Sequence, residues 1–249
     1  MKISVITVCF NSATTIAHTL RSVRQQTHDE TEHIIVDGGS RDNTLALVAS
    51  EGSHVVKVVS EKDEGIYDAM NKGIRLATGV VVAFLNADDF YIDDSVLAKV
   101  ALIMQTEKLD ALYGDVEFFR PGKPDVIARR YNSGRFAPDR LAWGWMPAHP
   151  ALFMRKELFE RYGAFDTGYR IAGDFEFIAR VFAHAELRHR HLQQPLVRMQ
   201  MGGASTSGWR ATLQINREMM RACRANGIST NWLKMLARYP LKAFEFMHV

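Results

Sequence analysis

The sequence predicts an α/β protein built on a mostly parallel, Rossmann-like central sheet flanked by helices, and three observations predict it. Short apolar runs rich in β-branched residues recur at residues 3–10, 33–36, 55–59 and 80–85. Each interval between them has room for one helix, the alternation that gives parallel strands with right-handed crossovers. Two of the runs stop abruptly at acids, Asp37-Gly38-Gly39-Ser40 and Asn86-Ala87-Asp88-Asp89. In open sheets of this kind ligands sit outside the carboxyl ends of the strands, so these acids mark the expected binding edge.

The first strand is Ile3-Ser4-Val5-Ile6-Thr7-Val8-Cys9-Phe10, and Asn11 or Ser12 is placed to cap the helix after it. That helix runs to about Gln26 with Ile16, Leu20 and Val23 at helical spacing. The second strand ends in Asp37, whose carboxylate can bond a nucleobase or ribose while Gly38 and Gly39 let backbone approach a ligand. After the third strand, Gly65 opens a helix with Ile66, Met70 and Ile74 inward and Asp68, Asn71, Lys72 and Arg75 on the other face. Residues 80–85 read as a central strand buried on both sides. Asp88 and Asp89 at its end point to opposite sides of an extended chain, so one can hold a divalent ion and the other a water or sugar hydroxyl. Hard oxygen ligands suit Mn²⁺ or Mg²⁺. The competing reading is an Asp-rich turn that caps the next helix at Asp93 or Asp94. A helix to about Thr106 and a strand from Ala111 to Phe119 follow, with Asp115 either a lining residue or a strand-edge residue.

At 249 residues with 47% hydrophobic side chains the chain can bury a full core. The two cysteines, Cys9 and Cys223, make no disulfide framework, which points to a reducing, cytoplasmic setting. No run reaches the roughly 18 apolar residues of a spanning helix, and the N-terminus enters a strand without signal-peptide architecture. A P-loop and the G-x-G-x-x-G fingerprint are absent after every predicted strand. Residues 1–119 hold 10 basic and 18 acidic side chains, and residues 120–249 hold 21 and 10. The basic second half suits an anionic partner, either a phosphate-bearing substrate or an acidic membrane surface, or is a solvated arginine surface.

Three ordered motifs carry a resemblance. Asp37-Gly-Gly-Ser, the run from Glu61 through Asp63, Gly65-Ile-Tyr-Asp-Ala-Met-Asn71-Lys72 to Gly73, and Phe84-Leu-Asn86-Ala-Asp88-Asp89 together resemble family-2 glycosyltransferases. The likeness is greatest to bacterial members that build O-antigen, lipopolysaccharide, capsule or colanic-acid-type polysaccharides, and spans about residues 1–205. It implies an inverting enzyme of the GT-A fold, metal-dependent through Mn²⁺ or Mg²⁺. Thr7 and Asn11 fall where the family contacts the nucleotide, Asp37 matches the base-recognising acid, and Asp63, Asn71 and Lys72 lie beside nucleotide and donor sugar. Asp88 and Asp89 match the ribose- and metal-binding pair, with Asn86 where other members carry the first Asp of a D-x-D.

In the second half, residues 120–140 read as an irregular change-over. His149 precedes a strand and is either structural or in contact with acceptor or diphosphate. Asp174 follows a glycine at a helix start; it is either a cap or, as the resemblance implies, the base that activates the acceptor. The helix's positive end suits a carboxylate that must act charged. Residues 199–208 read as a loop able to order over bound nucleotide, and the helix from Trp209 as an ordinary surface helix. The tail sets Trp232, Leu233, Leu236, Phe244 and Met247 apart from Lys234, Arg238 and Lys242, a basic amphipathic pattern for an anionic membrane or for packing on the protein or a second subunit.

The expected organisation is a nucleotide-sugar-binding half (1–119), an acceptor and catalytic-base half of the same domain (120–208) and a C-terminal helical extension (209–249). The expected partners are a nucleotide-sugar donor and a lipid-linked (polyprenyl diphosphate) saccharide acceptor at the inner face of the cytoplasmic membrane, with no nucleic acid and a homodimer possible. Without the Q-x-x-R-W signature of processive synthases, single-sugar transfer is expected. The competing classes are a nucleotidyltransferase and a catalytically silent nucleotide-binding protein.

Overall fold

The computed structural model describes residues 1–184, 186–202 and 208–243. In chain order the elements are β1 (Ile3–Cys9), α1 (Ile16–Arg24), β2 (Thr31–Asp37), α2 (Thr44–Glu51), β3 (Val55–Ser60), α3 (Ile66–Leu76), β4 (Val81–Phe84), β5 (Phe90–Tyr91) and α4 (Val96–Thr106). They continue with β6 (Ala111–Arg120), β7 (Lys123–Tyr131), β8 (Leu152–Arg155), α5 (Lys156–Tyr162), α6 (Gly173–His184), β9 (His189–Gln200), α7 (Trp209–Ala225), α8 (Trp232–Leu236) and α9 (Arg238–Ala243). Three short 3₁₀ turns lie between β7 and β8.

Among the described residues nine strands form one sheet in the order β3-β2-β1-β4-β8-β6-β9-β5, with β7 on the outer half of β6. The first four strands are parallel, as their continuous apolar runs require. β1 and β4 are buried along their whole length. β4 is parallel only to β1; its other neighbour, β8, is antiparallel. β8 is antiparallel to β6 as well, so β4 and β6 run the same way and end on the same edge. Residues 120–140 contain a strand, β7, rather than irregular chain, and β9 extends through Met199 and Gln200 where a loop was expected. β9 bulges as it passes β6, its pairing jumping from Leu192 to Pro195. Gly114 makes room for this, since a Cβ there would lie 2.5 Å from Leu196.

Local details differ from the expectation in four places. α1 starts at Ile16 without a side-chain cap: Asn11 Oδ1 accepts instead from Arg41 N in the loop after β2, and the Ser12 hydroxyl donates to Phe10 O. Ile66 is exposed, and Tyr67 takes the inward place in α3 beside Met70 and Ile74. α7 is no surface helix: Ala211, Asn216, Met219, Met220, Ala222 and Cys223 are buried. In the tail, Arg238 is 3% exposed and bonds Gly144 O at 2.8 Å and Asn216 Oδ1 at 3.0 Å, so that cation belongs to the packed interior. Residues 203–207 of the expected nucleotide-covering loop, and Phe244 and Met247 of the tail, lie outside the described residues.

The edge where the strands begin is closed by a buried acid. Glu32 accepts from Ser4 Oγ at 2.6 Å, Thr78 N at 2.8 Å, Thr78 Oγ1 at 2.9 Å and Lys2 Nζ at 3.3 Å. Burial alone would raise its carboxyl, but these donors outweigh it and hold the group at about 2. Gly79 enters β4 here, where a Cβ would lie 2.6 Å from Ser4 Oγ.

Candidate active site

At the opposite edge, β4 gives way to a tight turn over Asn86–Asp89, closed by Asp89 N donating to Asn86 O at 3.0 Å. The buried Thr19 of α1 pins it, its hydroxyl 2.7 Å from Asp89 O and 3.3 Å from Asn86 O. Asp89 is buried; its Oδ1 accepts from Gln200 N at the end of β9 at 3.2 Å. Asp88 is half-buried. Burial first, and the Asp88 charge second, push the Asp89 carboxyl well above the aspartate range, and burial raises Asp88. Asp89 Oδ2 and Asn86 Oδ1 are buried without a hydrogen-bond partner. Two carboxylates that resist ionisation, one of them with an orphaned oxygen, and the orphaned Asn86 amide oxygen fit a hard divalent cation, with further coordination left to water or phosphate. Among the described residues no group of three His, Cys, Asp or Glu side chains completes a metal site without such additions. Asp93 accepts from Ser95 N at 2.8 Å just before α4, but the helix's own first-turn amide, Leu97 N, donates to Gln26 Oε1 at 2.9 Å, so neither Asp93 nor the Asp88-Asp89 pair caps that helix.

The ends of β1 and β2 build a second part of the edge. The Asp37 carboxylate is fully buried and accepts from Gly39 N at 3.1 Å, Ser40 N at 2.9 Å, Ser60 Oγ at 2.7 Å and the Ser40 hydroxyl. The Cys9 thiol donates to it at 3.6 Å; burial and the Asp37 charge raise that thiol far above its ordinary range. Asp37 therefore shapes the loop, and Asn11 completes it, with φ 49° and its Oδ1 accepting from Arg41 N at 2.9 Å. Asp63 packs directly on this loop: a Cβ on Gly38 would run into its Oδ2. Thr7 lies below the edge, fully buried and 3.0 Å from His33 Nε2, so its hydroxyl is not among the groups gathered there.

Two of the expected donor-side residues join chain segments. Asn71 makes a paired bond with the Phe165 backbone, Nδ2 to O and N to Oδ1, both 2.9 Å. Lys72 clamps the segment before α3, reaching Lys62 O at 3.1 Å, Glu61 at 2.9 Å and Asp68 at 3.3 Å.

Asp174 stands in the first turn of α6, half-buried, with Oδ1 accepting from Phe175 N at 2.8 Å. The Tyr67 hydroxyl of α3 lies 3.2 Å from the same oxygen and 2.6 Å from Ile171 O. The Tyr67 ring covers Gly173, where a Cβ would lie 2.7 Å from it. His149 stacks on Phe84, the last residue of β4, at 5.2 Å between centroids. Burial lowers its imidazole below the usual range, and the facing Asp174 carboxylate opposes that shift. His149 thus stacks on the strand whose end carries Asp88 and Asp89 and lies within electrostatic reach of Asp174. Tyr67 was not singled out from the sequence, although it stands inside the Gly65–Gly73 motif; its partners are more than 100 residues away. A cavity of about 290 Å³ lies behind the turn, lined by His18, Arg21 and Asp93 among others, and touches neither Asp88 nor Asp174.

A family model described as "Glycosyl transferase family 2" matches residues 4–163. A curated protein of Mycobacterium bovis (strain BCG / Pasteur 1173P2), called a PGL/p-HBAD biosynthesis glycosyltransferase, is 35% identical over 197 residues, 76% of this chain and 73% of the relative. Among solved structures, S. aureus TarS 1–349 in complex with UDP-GlcNAc superposes with a TM-score of 0.73 at 20% identity, covering 99% of this chain and 73% of that one. Against another TarS structure the chain spans 44% of the length. The mannosyltransferase PcManGT of Pyrobaculum calidifontis, in complex with GDP-Man and Mn²⁺, gives a TM-score of 0.67 at 19% identity over 98% of this chain and 69% of that one.

Proposed function

Because the chain belongs to glycosyl transferase family 2 and has the GT-A fold, we propose that it transfers one sugar, with inversion, from a nucleoside-diphosphate sugar to a hydroxyl of a lipid-linked saccharide. The observation that carries this reading is the placement of Asp174. It sits half-buried at a helix start, tied by Tyr67 to the first turn of α3 and within electrostatic reach of His149, which stacks on the last residue of β4. One carboxylate on one side of a reacting centre, and charge-stabilising groups on the other, suit a single displacement.

In this reading Asp174 accepts the acceptor hydroxyl's proton as that oxygen attacks the anomeric carbon opposite the nucleoside diphosphate. His149, kept neutral by burial, orients the acceptor hydroxyl or a diphosphate oxygen. Asn11, Asp63 and the loop held by Asp37 form the wall for the nucleotide. Thr7 supports β1 from below, while Asn71 and Lys72 hold the donor side rigid. Asp88, Asp89 and the Asn86 amide oxygen are the groups that would hold Mn²⁺ or Mg²⁺, and such an ion, when bound, supplies positive charge beside the departing diphosphate. The donors in the complexes of the structural relatives, UDP-GlcNAc and GDP-Man, support a UDP- or GDP-linked sugar.

A lipid-linked acceptor and contact with an anionic membrane are supported by an exposed group on one flank. Trp143, Trp232, Leu233 and Leu236 are exposed there, and Lys234 Nζ stands 5.8 Å from the Trp143 ring. No described helix is long and apolar enough to cross a membrane.

The test is Asp174→Asn. Transfer should fall by roughly 10³-fold while donor binding, read by calorimetry with UDP- and GDP-sugars, stays within about twofold. Full turnover in that variant would remove the base from Asp174.

A further inference from the structure

α7 reaches the candidate base from behind. Glu218, in the middle of that helix, accepts three successive backbone amides, Arg170 N at 3.2 Å, Ile171 N at 2.9 Å and Ala172 N at 2.8 Å. These residues lead directly into Gly173 and Asp174. Gln214, one turn earlier, steadies the Glu218 carboxylate at 3.0 Å. Arg221, one turn later, bonds Gly168 O at 2.8 Å and covers the Tyr169 ring at 3.7 Å. One face of α7 therefore grips the whole 168–172 segment. Burial alone would raise the Glu218 carboxyl, but the amides and Gln214 outweigh it and hold the group below the glutamate range.

The anchored segment carries the competing acceptor for Tyr67. That hydroxyl has one proton and two oxygens in reach, Ile171 O at 2.6 Å and Asp174 Oδ1 at 3.2 Å. While the proton points at Ile171 O, Asp174 Oδ1 keeps only the Phe175 amide and stays free to take a proton from substrate. If the 170–172 backbone drifts, Ile171 O leaves and the hydroxyl turns to Asp174. A carboxylate that accepts this extra bond is a weaker base.

We propose that Glu218 is the positioning residue for Asp174: by anchoring the Arg170–Ala172 amides from α7 it holds Ile171 O where it captures the Tyr67 proton. The proposal rests on Asp174 being the base. It gives α7, which the family match at residues 4–163 does not reach, a part in the reaction.

The experiment is a double-mutant cycle in the full chain with Glu218→Gln, which keeps shape and removes charge, and Tyr67→Phe. Glu218→Gln should lower kcat by roughly 10-fold and leave the donor KM within twofold, because a loosened base costs turnover and not binding. In the Tyr67→Phe background the same substitution should cost less than about threefold, the non-additivity expected of residues acting in one chain. Equal losses in both backgrounds, or a Tm drop with wild-type kcat, would overturn the proposal. Should Glu218→Gln not fold, Gln214→Ala gives the same split between kcat and KM at smaller amplitude, and its absence there overturns the proposal equally. Asp174→Asn separates the two claims: an active Asp174→Asn removes the base itself, whereas an inactive one beside a fully active Glu218→Gln removes only the positioning role.

Discussion

Glu32 and Asp89 are both acids buried at an end of the same sheet, and they are treated in opposite ways. Where the strands begin, Glu32 has four donors and its carboxyl lies at about 2. Where the strands end, Asp89 Oδ2 has no partner, neighbouring Asn86 Oδ1 has none, and both aspartates of the turn are raised by burial. A buried carboxylate with its bonds complete stabilises the fold, and one with bonds left open waits for a ligand. Burial and charge alone do not separate the two ends; counting donors does.

The strongest way to break the comparison is to neutralise the open end. Asp89→Asn should cut transfer by roughly 100-fold and yet raise the metal-free Tm, because an acid whose ionisation burial opposes is replaced by a neutral amide. Calorimetry with and without Mn²⁺ reads both effects, and the ion should stabilise the wild type and not the variant. The matching change at the closed end should do the reverse. Glu32→Gln should lower stability by about 2–3 kcal/mol in urea unfolding, through lost charge-assisted bonds, with donor KM unchanged.

The smallest effect sharpens the contrast through pH. Asp88 and Asp89 are raised in the fold, so the metal-free protein holds their stability contribution below the usual 3.8 and loses it as pH rises through their folded values. Glu32 is lowered, so its contribution is present above 4.5 and lost only as pH falls through about 2. Buried His33, lowered by burial and then by His54 to about 3, stays neutral while the unfolded chain takes its proton, so stability also falls as pH drops below 6.5. Between pH 4 and 6.5 the aspartate and histidine trends oppose each other. Thermal scans of metal-free Asp89→Asn should therefore show a steeper rise of Tm with pH than the wild type.

The sequence shows one half of this molecule more plainly than the other, for a physical reason. Strands β1, β2 and β4 are buried on both faces, so each shows a cluster of β-branched apolar residues, and the acids at the ends of β2 and β4 stand out. β7 and β9 are half-exposed and carry Arg129, Arg130, His189, His191 and Arg198, with Pro195 at a bulge, so neither has a period-2 or continuous apolar signature. The site follows the same rule. Asp37, Asp88, Asp89 and Asp174 are visible as acids at element ends, whereas the contacts of Tyr67, Asn71 and Glu218 are with backbone groups 46 to 104 residues distant, which spacing along the chain does not encode. α7 likewise presents a mixed pattern because it buries Asn216 against Arg238 and Tyr239, a polar seam that periodicity reads as surface.

The thiol at the tip of β1 turns this architecture into an instrument. Cys9 is 7% exposed and Cys223 fully buried, both as free thiols. It is the thiolate that attacks an alkylating reagent, a form that burial and the Asp37 charge deny to Cys9. The folded molecule should thus stay dark to maleimides at neutral pH, and modification of the peptide containing Cys9 would time the moments when the nucleotide-side loop comes undone.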